Sequence, residues 1–532
     1  MGWDDVGRIR QAKVNRSSLL SNEQGTIIKD WGGRLPIALV YPNSYYIGMS
    51  NLGIHAIYKY LNSYNDVVCE RTFQDFKFIL SFESKKPLID FAVVAFSISY
   101  ELDYFNVVDI LKKSNIPLYS SERDDHHPLV VAGGACITAN PMPLAPFFDC
   151  LCIGEAELIL PELLAVLSHG IDRREIMLRE LAKLPGIYVP YYHKDTIITR
   201  QWAPNLDDFV VSSSVITTET ELGNLYLIEV GRGCNWSCRF CLVSGAFCPT
   251  RYRSIDSLIR QASKGLKYRK RLGLVGPIVS DHPQIEELLT RLRYLGAGIS
   301  LSSLRVNPLS TSLLDEIVKG GIRTVTLAPE AGSQRLRQVI GKKILQDDIL
   351  TAVARIADRG IKRLKLYFMI GLPTETDEDI EEIISLCIIC KEIIEKGEAG
   401  GRLSLNVAPF VPKAGTPFQW LPMAGISTLK YRLEMLKREL SPKGIKLKSE
   451  SLAWSHVQAS LARGDIKMAE VLAGMGEISL AGWRKAVDEY RFDLAHYVLE
   501  KWDTDHDLPW ENIKLGSSKE YLISELNRAV AV

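Results

Sequence analysis

Three cysteines near the middle of the chain have the spacing of a metal-cluster motif. Cys234, Cys238 and Cys241 are arranged C-x3-C-x2-C, directly after a short apolar stretch. A loop of this length can place three thiolates on three corners of an iron–sulfur cubane. Because such clusters normally take four thiolates, one iron stays open for a ligand with amino and carboxylate groups. The motif therefore predicts a [4Fe-4S] cluster that takes part in chemistry rather than only storing an electron.

A structural zinc site is the alternative interpretation of the same cysteines. Its fourth ligand would be Cys248 or a distant histidine, but zinc motifs usually pair two C-x2–4-C knuckles. The second C-x2-C pair, Cys387 and Cys390, falls on the apolar face of a predicted helix, so zinc is disfavoured. Four other cysteines lie in apolar surroundings and are predicted to be small buried hydrophobes: Cys69, Cys136, Cys150 and Cys152.

The elements that must position this motif follow from the apolar segments of the 532-residue chain, whose length predicts several domains. Residues 1–33 are polar, and we predict that they are an N-terminal extension packed on a later domain. Continuous apolar runs at 35–40, 91–96 and 128–132 are typical of strands buried on both faces of a parallel sheet. We therefore predict an α/β, Rossmann-like doubly wound domain over residues 34–165, with its ligand beside the carboxyl ends of the strands.

A second series of strands and helices follows a linker with a hairpin at residues 166–215. Six strand candidates separated by helical stretches predict a partial or full TIM-type α/β barrel over residues 216–427. Helical patterns dominate residues 428–532, which we predict to be a helix-rich C-terminal domain. The strand candidates are 224–230, 273–276, 298–304, 324–328, 364–370 and 403–407.

The cysteine motif, with the aromatic Phe240 before its last cysteine, resembles that of the radical S-adenosylmethionine (SAM) superfamily. Two further segments are typical of its members: Ala328–Arg335 after the fourth strand and Ile370–Pro373 after the fifth. The resemblance implies that SAM binds the open iron, takes an electron from a donor such as ferredoxin or flavodoxin, and is cleaved to a radical that abstracts a substrate hydrogen. Without the cysteine motif, Glu330 would be interpreted as a surface carboxylate or part of a capped turn. A plain strand-to-helix turn explains residues 371–373 as well as an adenine contact does. The implied SAM contacts are Phe240, Gly276, Ser303, Arg305, Glu330 and Leu372.

The predicted doubly wound domain resembles the cobalamin-binding domain that precedes the barrel in many radical SAM proteins. The resemblance is strongest at Val131–Pro141 and Phe148–Glu157, where glycines at strand ends would let a corrin ring approach the backbone. The cobalt-ligating pattern D-x-H-x-x-G is present as Asn43–Gly48, with Tyr45 in place of the histidine. The resemblance thus implies cobalamin without a histidine ligand, its lower face open or covered by Tyr45, or else a domain that has lost the cofactor. His55 is predicted to be a helix-face residue rather than a substitute ligand. The implied cobalamin contacts are Tyr45, Gly48, Ser97, Ser99, Gly133, Gly134, Thr138 and Gly154.

The domain order, and a tail containing Ser455–Asp465, resemble a broad group of cobalamin-binding radical SAM proteins. The leading prediction is methylation of an unactivated carbon, with a protein or peptide as the favoured substrate. Rearrangement, ring formation, and tRNA or lipid modification remain alternative outcomes, whereas methylthiolation is disfavoured because three further clustered cysteines are not visible. From another class, a metal-stabilised nucleic-acid-binding protein is suggested by the basic stretch Lys264–Arg271, which an amphipathic helix explains equally well.

Charge and composition set the expected partners and compartment. The chain has 64 Lys and Arg against 63 Asp and Glu, a formal charge of +1. A nucleic acid partner is therefore not expected from the total charge, although a local basic cleft is compatible with it. The sequence shows no cationic and then apolar leader and no run of about 18 apolar residues, so we predict a cytoplasmic protein without a membrane span.

Overall fold

The N-terminal part of the chain forms one sheet with helices on both faces. The computed structural model describes residues 16–532 except 77, 169–172, 195, 278 and 308. Within these residues the strands of the sheet are β1 (Leu35–Tyr41), β2 (Val67–Phe73), β3 (Val93–Ser97), β4 (Leu129–Gly133), β5 (Cys150–Cys152) and β6 (Ile187–Tyr188). Their order is β2-β1-β3-β4-β5-β6, parallel except for β6, which runs antiparallel to β5. Because the strand order reverses between β1 and β3, their carboxyl ends border the crevice where doubly wound sheets bind ligands.

Both faces of this sheet are buried, which explains its continuous apolar strands. In β1, Ile37 and Leu39 pack into one core, whereas Ala38 and Val40 pack into the other. A strand covered on both sides needs apolar residues at every position rather than at alternate ones. The helices of this part are α1 (Arg16–Ser21), α2 (Tyr45–Gly48), α3 (Leu52–Leu61), α4 (Tyr104–Lys113), α5 (Ala135–Ala139), α6 (Ala156–Ser168) and α7 (Arg174–Leu181).

In the described part of segment 166–215, the two strands do not pair with each other as the predicted hairpin requires. The first residues of this segment complete α6, and β6 adds an antiparallel edge to the N-terminal sheet. The next strand, β7 (Ile198–Thr199), pairs in parallel with Ile513–Lys514, near the end of the chain. The linker therefore ties the N-terminal domain to the C-terminal part of the protein.

The second domain is an open, parallel α/β barrel. Its strands among the described residues are β8 (Tyr226–Glu229), β11 (Arg271–Val275), β12 (Gly298–Leu301), β13 (Thr324–Glu330), β14 (Arg363–Ile370), β15 (Arg402–Pro409) and β16 (Lys446–Ser449). The first three form one parallel sheet and the last four another, and a parallel bridge between Leu304 and Leu327 joins the two. All six predicted strands are present. The seventh strand, β16, lies beyond the predicted domain boundary at residue 427. It was not predicted because its sequence is short and rich in lysine.

Helices cover only one face of the barrel strands. In β14, Leu364, Leu366 and Phe368 are buried against the helices, whereas Lys365 and Tyr367 are exposed on the opposite face, here called the inner face. A small ribbon, β9 (Gly231–Arg232) with β10 (Arg251–Tyr252), follows β8. The helices are α8 (Leu242–Ala246), α9 (Ile255–Gly265), α10 (Ile285–Tyr294), α11 (Thr311–Lys319), α12 (Gln334–Val339), α13 (Gln346–Ala357), α14 (Asp377–Lys396) and α15 (Ile426–Leu440).

The C-terminal part is helix-rich and packs on both other domains. Phe105 of the N-terminal domain contacts Trp454 and Trp483, with ring centroids 6.1 and 5.7 Å apart. None of the helices in the described ranges is long and apolar enough to cross a membrane. The elements are α16 (Leu452–Arg463), α17 (Met468–Gly474), α18 (Leu480–Glu489), α19 (Leu494–Val498), β17 (Ile513–Lys514) and α20 (Lys519–Val530).

Candidate functional site

The three predicted cluster cysteines lie on one loop between β9 and α8, beyond the carboxyl end of β8. Cys241 directly precedes α8. Gly233, which precedes Cys234, has a φ of +75°, and a Cβ there would lie 2.5 Å from the carbonyl oxygen of Pro249. The turn into the loop therefore requires glycine, because a side chain fits neither the backbone angle nor the space.

Arg239, between the second and third cysteines, connects this loop to two helices through hydrogen bonds. Its Nε donates to Glu525 Oε2 on α20 at 3.0 Å. Its Nη1 donates to the carbonyl oxygens of Gln338 and Val339 at the end of α12, both at 2.8 Å. The side chain is 10% exposed, so these bonds are shielded from water. The sequence analysis missed Arg239, because its position between the cysteines is variable in the motif pattern C-x3-C-x2-C.

The thiols of the cluster cysteines are free, and the Cys241 thiol contributes to the raised pKa of both Cys234 and Cys238. Burial raises the pKa of the Cys238 thiol to about 12, and the Lys342 ammonium partly offsets this effect. Burial also raises the pKa of Cys234. Such thiols lose their protons when a metal ion binds to the sulfur, as a cluster iron does. The donor set therefore fits a thiolate-held cluster.

The zinc alternative does not fit the positions of the other cysteines. Cys387 and Cys390 are fully buried on α14 in the barrel core. Cys248 Sγ donates to the carbonyl oxygens of Ser244 at 2.9 Å and Cys234 at 3.3 Å. Over the described residues, no three His, Cys, Asp or Glu side chains converge on one metal-ion position. A cubane does not require that convergence, because it spreads three thiolates over three irons.

Glu330 ends β13 beside the cluster loop. Its φ is +70°, which is uncommon for a residue with a side chain, and the register shifts between Leu327 and Glu330. Glu330 Oε1 accepts a hydrogen bond from Lys342 Nζ at 3.1 Å, and both charges act on Cys238. The structure thus brings the predicted Glu330 to the cluster loop and adds Lys342. The sequence analysis missed Lys342, although the glycine turn at Gly341 just before it is a usable signal.

Arg305 and Ser303 are two further residues that were expected to contact SAM. Arg305 lies over the ring of Trp236 in the cluster loop, with Cζ 3.2 Å from the ring centroid. Asp281 Oδ2 accepts hydrogen bonds from Arg305 Nη1 at 3.0 Å and from Trp236 Nε1 at 2.7 Å. Ser303 is half-buried next to the bridge that joins the two barrel sheets.

Phe240 and Leu372 belong to the hydrophobic packing beneath the cluster loop. Leu372 is 3% exposed in the large core that the N-terminal domain shares with the C-terminal helices, and Phe240 packs against that core. Both positions are therefore explained by packing, whatever further contact they make.

A cavity of about 1,090 Å³ lies between the N-terminal domain and the barrel. It exceeds the roughly 300–1,000 Å³ of most small-ligand pockets, so its size suits a large cofactor. On the barrel side it reaches Gly231, Arg232 and Gly233, directly before the first cluster cysteine. Seven of the residues selected from the sequence line it: Ser97, Ser99, Gly133, Gly134, Thr138, Gly154 and Gly276.

The glycines of this cavity are required by the protein's own backbone. Gly134 has a φ of +121°, and a Cβ there would overlap the carbonyl oxygen of Ile98. Gly154 has a φ of +128°, and a Cβ there would overlap the carbonyl oxygen of Gln201. Thr138 Oγ1 accepts a hydrogen bond from the Gly154 amide at 3.1 Å. The protein's own packing therefore explains glycine at these strand ends, independently of any ligand.

One part of the cavity is apolar and lies between the sheet and two helices. Ile57 and Tyr60 of α3 face Leu160 and Leu163 of α6 across it, above the buried face of β1 that carries Leu39. The sequence analysis missed the helix residues, because it selected only the ends of strands.

Tyr45 and Gly48 do not lie at the cavity, which corrects their predicted contact with cobalamin. The Tyr45 ring is 2% exposed, packs against Phe73 and Phe82, and donates its hydroxyl proton to Glu23 Oε1 at 2.7 Å. A Cβ on Gly48 would lie 2.6 Å from the Phe73 ring. The loop is therefore built into the domain core, and Tyr45 is not placed to cover a cobalt ion.

His55 lies on α3, and its side chain is buried in the core. Its Nε2 lies 3.0 Å from the Met49 carbonyl oxygen, and its Nδ1 lies 3.3 Å from the amide nitrogens of Ser214 and Val215. Burial lowers the pKa of His55 to about 4. The ring thus stays neutral and satisfied by backbone groups.

Charged side chains hold the N-terminal domain against the cluster loop. Glu155 accepts hydrogen bonds from Arg251 at 2.7 Å and from Arg232 at 3.0 Å. Arg232 also pairs with Glu157 and with Glu229. Burial alone would raise the pKa of Glu155, but the arginines hold it below its usual value. Since Arg232 lies two residues before Cys234, this network connects the two halves of the cavity.

Comparison with known proteins agrees with this architecture. Residues 53–190 match the family model for radical SAM proteins, N-terminal, and residues 228–387 match the radical SAM superfamily. The uncharacterized protein MJ0966 of Methanocaldococcus jannaschii is 33% identical over 443 residues, which cover 82% of this chain and 90% of that protein. The uncharacterized methyltransferase PH0819 of Pyrococcus horikoshii is 27% identical over 333 residues, 59% of this chain and 66% of its own length.

Among solved structures, the cobalamin-dependent SAM radical enzyme OxsB with aqua-cobalamin bound has a TM-score of 0.54 and 13% identity. The match covers 94% of this chain and 79% of OxsB, so the two share a fold over nearly the whole length. The two family models and the 33% identical relative together show that this chain belongs to the radical SAM superfamily of enzymes.

Proposed function

We propose that this radical SAM protein is a cobalamin-dependent methyltransferase that acts on an unactivated carbon. The observation that carries the proposal is the cavity of about 1,090 Å³, which joins the carboxyl end of a doubly wound sheet to the cluster loop. A methyl donor and a radical source must both reach the same substrate carbon, and one shared cavity permits that.

The cluster side of the cavity fits a [4Fe-4S] cluster with SAM. When bound, these groups would supply a hydrogen-abstracting radical after reduction by a donor such as ferredoxin or flavodoxin. Cys234, Cys238 and Cys241 would hold three irons. Glu330 and Lys342, paired at 3.1 Å beside Cys238, would meet the amino and carboxylate groups of SAM, because each offers the charge opposite to one of them.

The N-terminal side of the cavity fits a corrin. Ser97 and Thr138 offer hydroxyl groups at the strand ends, and the apolar part between α3 and α6 suits the less polar tail of such a cofactor. Tyr45 and His55 are both held in the core by their own partners. We therefore propose that cobalamin binds without a histidine ligand from this loop.

The similar proteins support the methyl-transfer proposal. OxsB is described as cobalamin-dependent, and the relative from Pyrococcus horikoshii is described as a methyltransferase. The likeness to OxsB, at 13% identity, is a likeness of fold. OxsB therefore supports the fold, whereas the cavity supports the reaction.

Anaerobic purification with cobalamin supplied tests the proposal. We expect a brown protein that contains iron, sulfide and corrin and that releases 5′-deoxyadenosine from SAM after reduction. Absence of deoxyadenosine from the reconstituted, reduced protein would overturn the radical mechanism. A brown protein without corrin would retain the radical step and reject methylation.

A matched pair of cysteine variants makes this test specific. Cys238→Ala should lose the cluster and SAM cleavage but keep corrin, because the two sites lie on different domains. Cys248→Ser is the control, since a hydroxyl can keep the hydrogen bonds to Ser244 and Cys234. Equal loss of cluster in both variants would contradict the assignment of the three ligands.

A further inference from the structure

The inner face of the barrel carries cations that the chain itself does not neutralise. Helix-covered and inner-face residues alternate along each strand, so the inner face can be read from the burial of every second residue. Its positively charged side chains are exposed, and within the described ranges none of them forms an ion pair. These six residues are Arg271, Arg363, Lys365, Arg402, Lys446 and Lys448.

The register of the strands groups the lysines. Lys365 pairs with Ser404 on β15, which in turn pairs with Lys446 on β16. Since neighbouring strands lie about 4.8 Å apart, the Cα atoms of these two lysines are about 10 Å apart. Lys448 lies two residues further along β16, about 7 Å away, and pairs with Asn406. Three like charges this close repel one another unless an anion lies between them.

The two inner-face carboxylates within the described barrel strands are already paired with other cations. Glu229, at the carboxyl end of β8, pairs with Arg232 at 2.7 Å and with Arg253 at 2.5 Å. Glu330, at the end of β13, pairs with Lys342. Both acids lie at the cavity end of the barrel, and the unpaired cations lie towards the opposite end.

The basic strands and the strands that line the cavity belong to the same barrel. Leu227, Gly273 and Ser300 form one inner-face row on the first three strands, and all three line the large cavity. Tyr367 lies on the inner face of β14 in the same register row as Lys448, with Asn406 between them, and is 37% exposed. A ligand long enough to cross the inner face from these strands to the first three would reach the cavity.

We propose that the inner face of β14 to β16 binds a single-stranded nucleic acid, which would be the substrate class of this enzyme. The proposal rests on the proposed function. Proteins that hold single strands combine a cationic groove for the phosphates with an aromatic side chain on which a base stacks. The cationic groove would be provided by Lys365, Lys446 and Lys448. The aromatic side chain for stacking would be Tyr367. An acidic protein segment would use the cations but would have no particular need for the central aromatic ring.

Binding of fluorescein-labelled 12-nucleotide oligo(U) and oligo(dT) to the reconstituted full-length protein tests this inference. The triple variant Lys365→Gln/Lys446→Gln/Lys448→Gln should bind about tenfold more weakly at 50 mM salt, and its dependence on log salt should fall by about two. Tyr367→Ala should also weaken binding about tenfold, whereas Tyr367→Phe should not. A preference for oligo(U) would identify RNA through its 2′-hydroxyls, and a preference for oligo(dT) would identify DNA.

A matched triple variant on the outer surface is the control. Lys183, Lys396 and Lys430 have side chains 62%, 81% and 68% exposed, and their replacement by Gln should leave binding unchanged. Equal loss in the two triple variants would overturn the inference, as would equal competition by polyglutamate of the same charge. Deoxyadenosine release by the same wild-type preparation separates the two proposals. Release without oligonucleotide binding rejects only the substrate class, and binding without release rejects only the radical reaction.

Discussion

Replacing Arg239 by Met should loosen the cluster loop without touching a cluster ligand. The change removes three charge-assisted hydrogen bonds, to Glu525 at 3.0 Å and to the carbonyl oxygens of Gln338 and Val339 at 2.8 Å. Loss of one partner of a buried ion pair costs about 3–5 kcal/mol. Glu525 keeps a second partner, Arg528 at 2.5 Å, so we expect the lower end, about 3 kcal/mol.

A double-mutant cycle separates the ion pair from the carbonyl bonds. Glu525→Gln keeps an acceptor for Arg239 and removes only the charge, so it should cost about 1 kcal/mol. The coupling between the two changes should be about 1 kcal/mol. The rest of the Arg239 effect belongs to the lost bonds to the Gln338 and Val339 carbonyls, of which Gln338 keeps the Gly341 amide, and to the uncharged part of the bond at position 525. The assay is an anaerobic urea titration of the cluster-loaded protein, followed by the visible absorbance of the cluster. An Arg239→Met protein that retains its cluster to the same urea concentration as wild type would refute the reasoning.

Three further predictions concern the N-terminal domain and its contact with the barrel. Gly134→Ala should lower the melting temperature by several degrees and reduce corrin content, since its φ is +121° and the Cβ meets Ile98. Gly133→Ala should be milder in a thermal melt, because its nearest Cβ contact is 3.4 Å away. His55 has a pKa lowered by burial to about 4 from 6.5, so the unfolded chain binds its proton more readily. Stability should therefore fall by up to about 3 kcal/mol as the pH drops from 6.5 to 4, and the difference between wild type and His55→Asn in urea titrations isolates that part. Glu155→Gln keeps an acceptor for Arg251 and Arg232 but removes the charge that faces both, so it should cost about 2 kcal/mol in a urea titration at pH 7. Equal effects of Glu155→Gln and Glu157→Gln would contradict this, since among the described residues Glu157 pairs only with Arg232.

Most of the fold was predictable because the amino-acid composition of a strand reflects which of its faces are buried. The runs at 35–40, 91–96 and 128–132 became β1, β3 and β4 of a parallel sheet, since a strand covered on both faces has no polar position. β16 was missed for the opposite reason. It is an edge strand of the sheet, with lysines at two of its four positions, and only its pairing with β15 makes it a strand.

The site was predictable only where a short segment contains its chemistry. Cys234, Cys238 and Cys241 lie on one loop, so their spacing alone predicts a common ligand. Tyr45 shows the limit of that approach. Its place in a ligand pattern indicated a contact with cobalamin, but the ring packs in the core against Phe73 and Phe82, which come from later in the chain.

The sequence by itself determined the elements and the cluster motif, because periodicity and spacing are local properties of the chain. The tertiary structure alone decided what those elements enclose. The charge network of Glu155 with Arg232 and Arg251 brings together residues nearly a hundred positions apart. The basic inner face gathers cations from four strands, although the total charge of the chain is only +1. Positive and negative charges nearly cancel in the composition of the whole chain, but the folded protein separates them. The reason is that parallel strands align distant residues in one register and the helices cover only one side of the sheet.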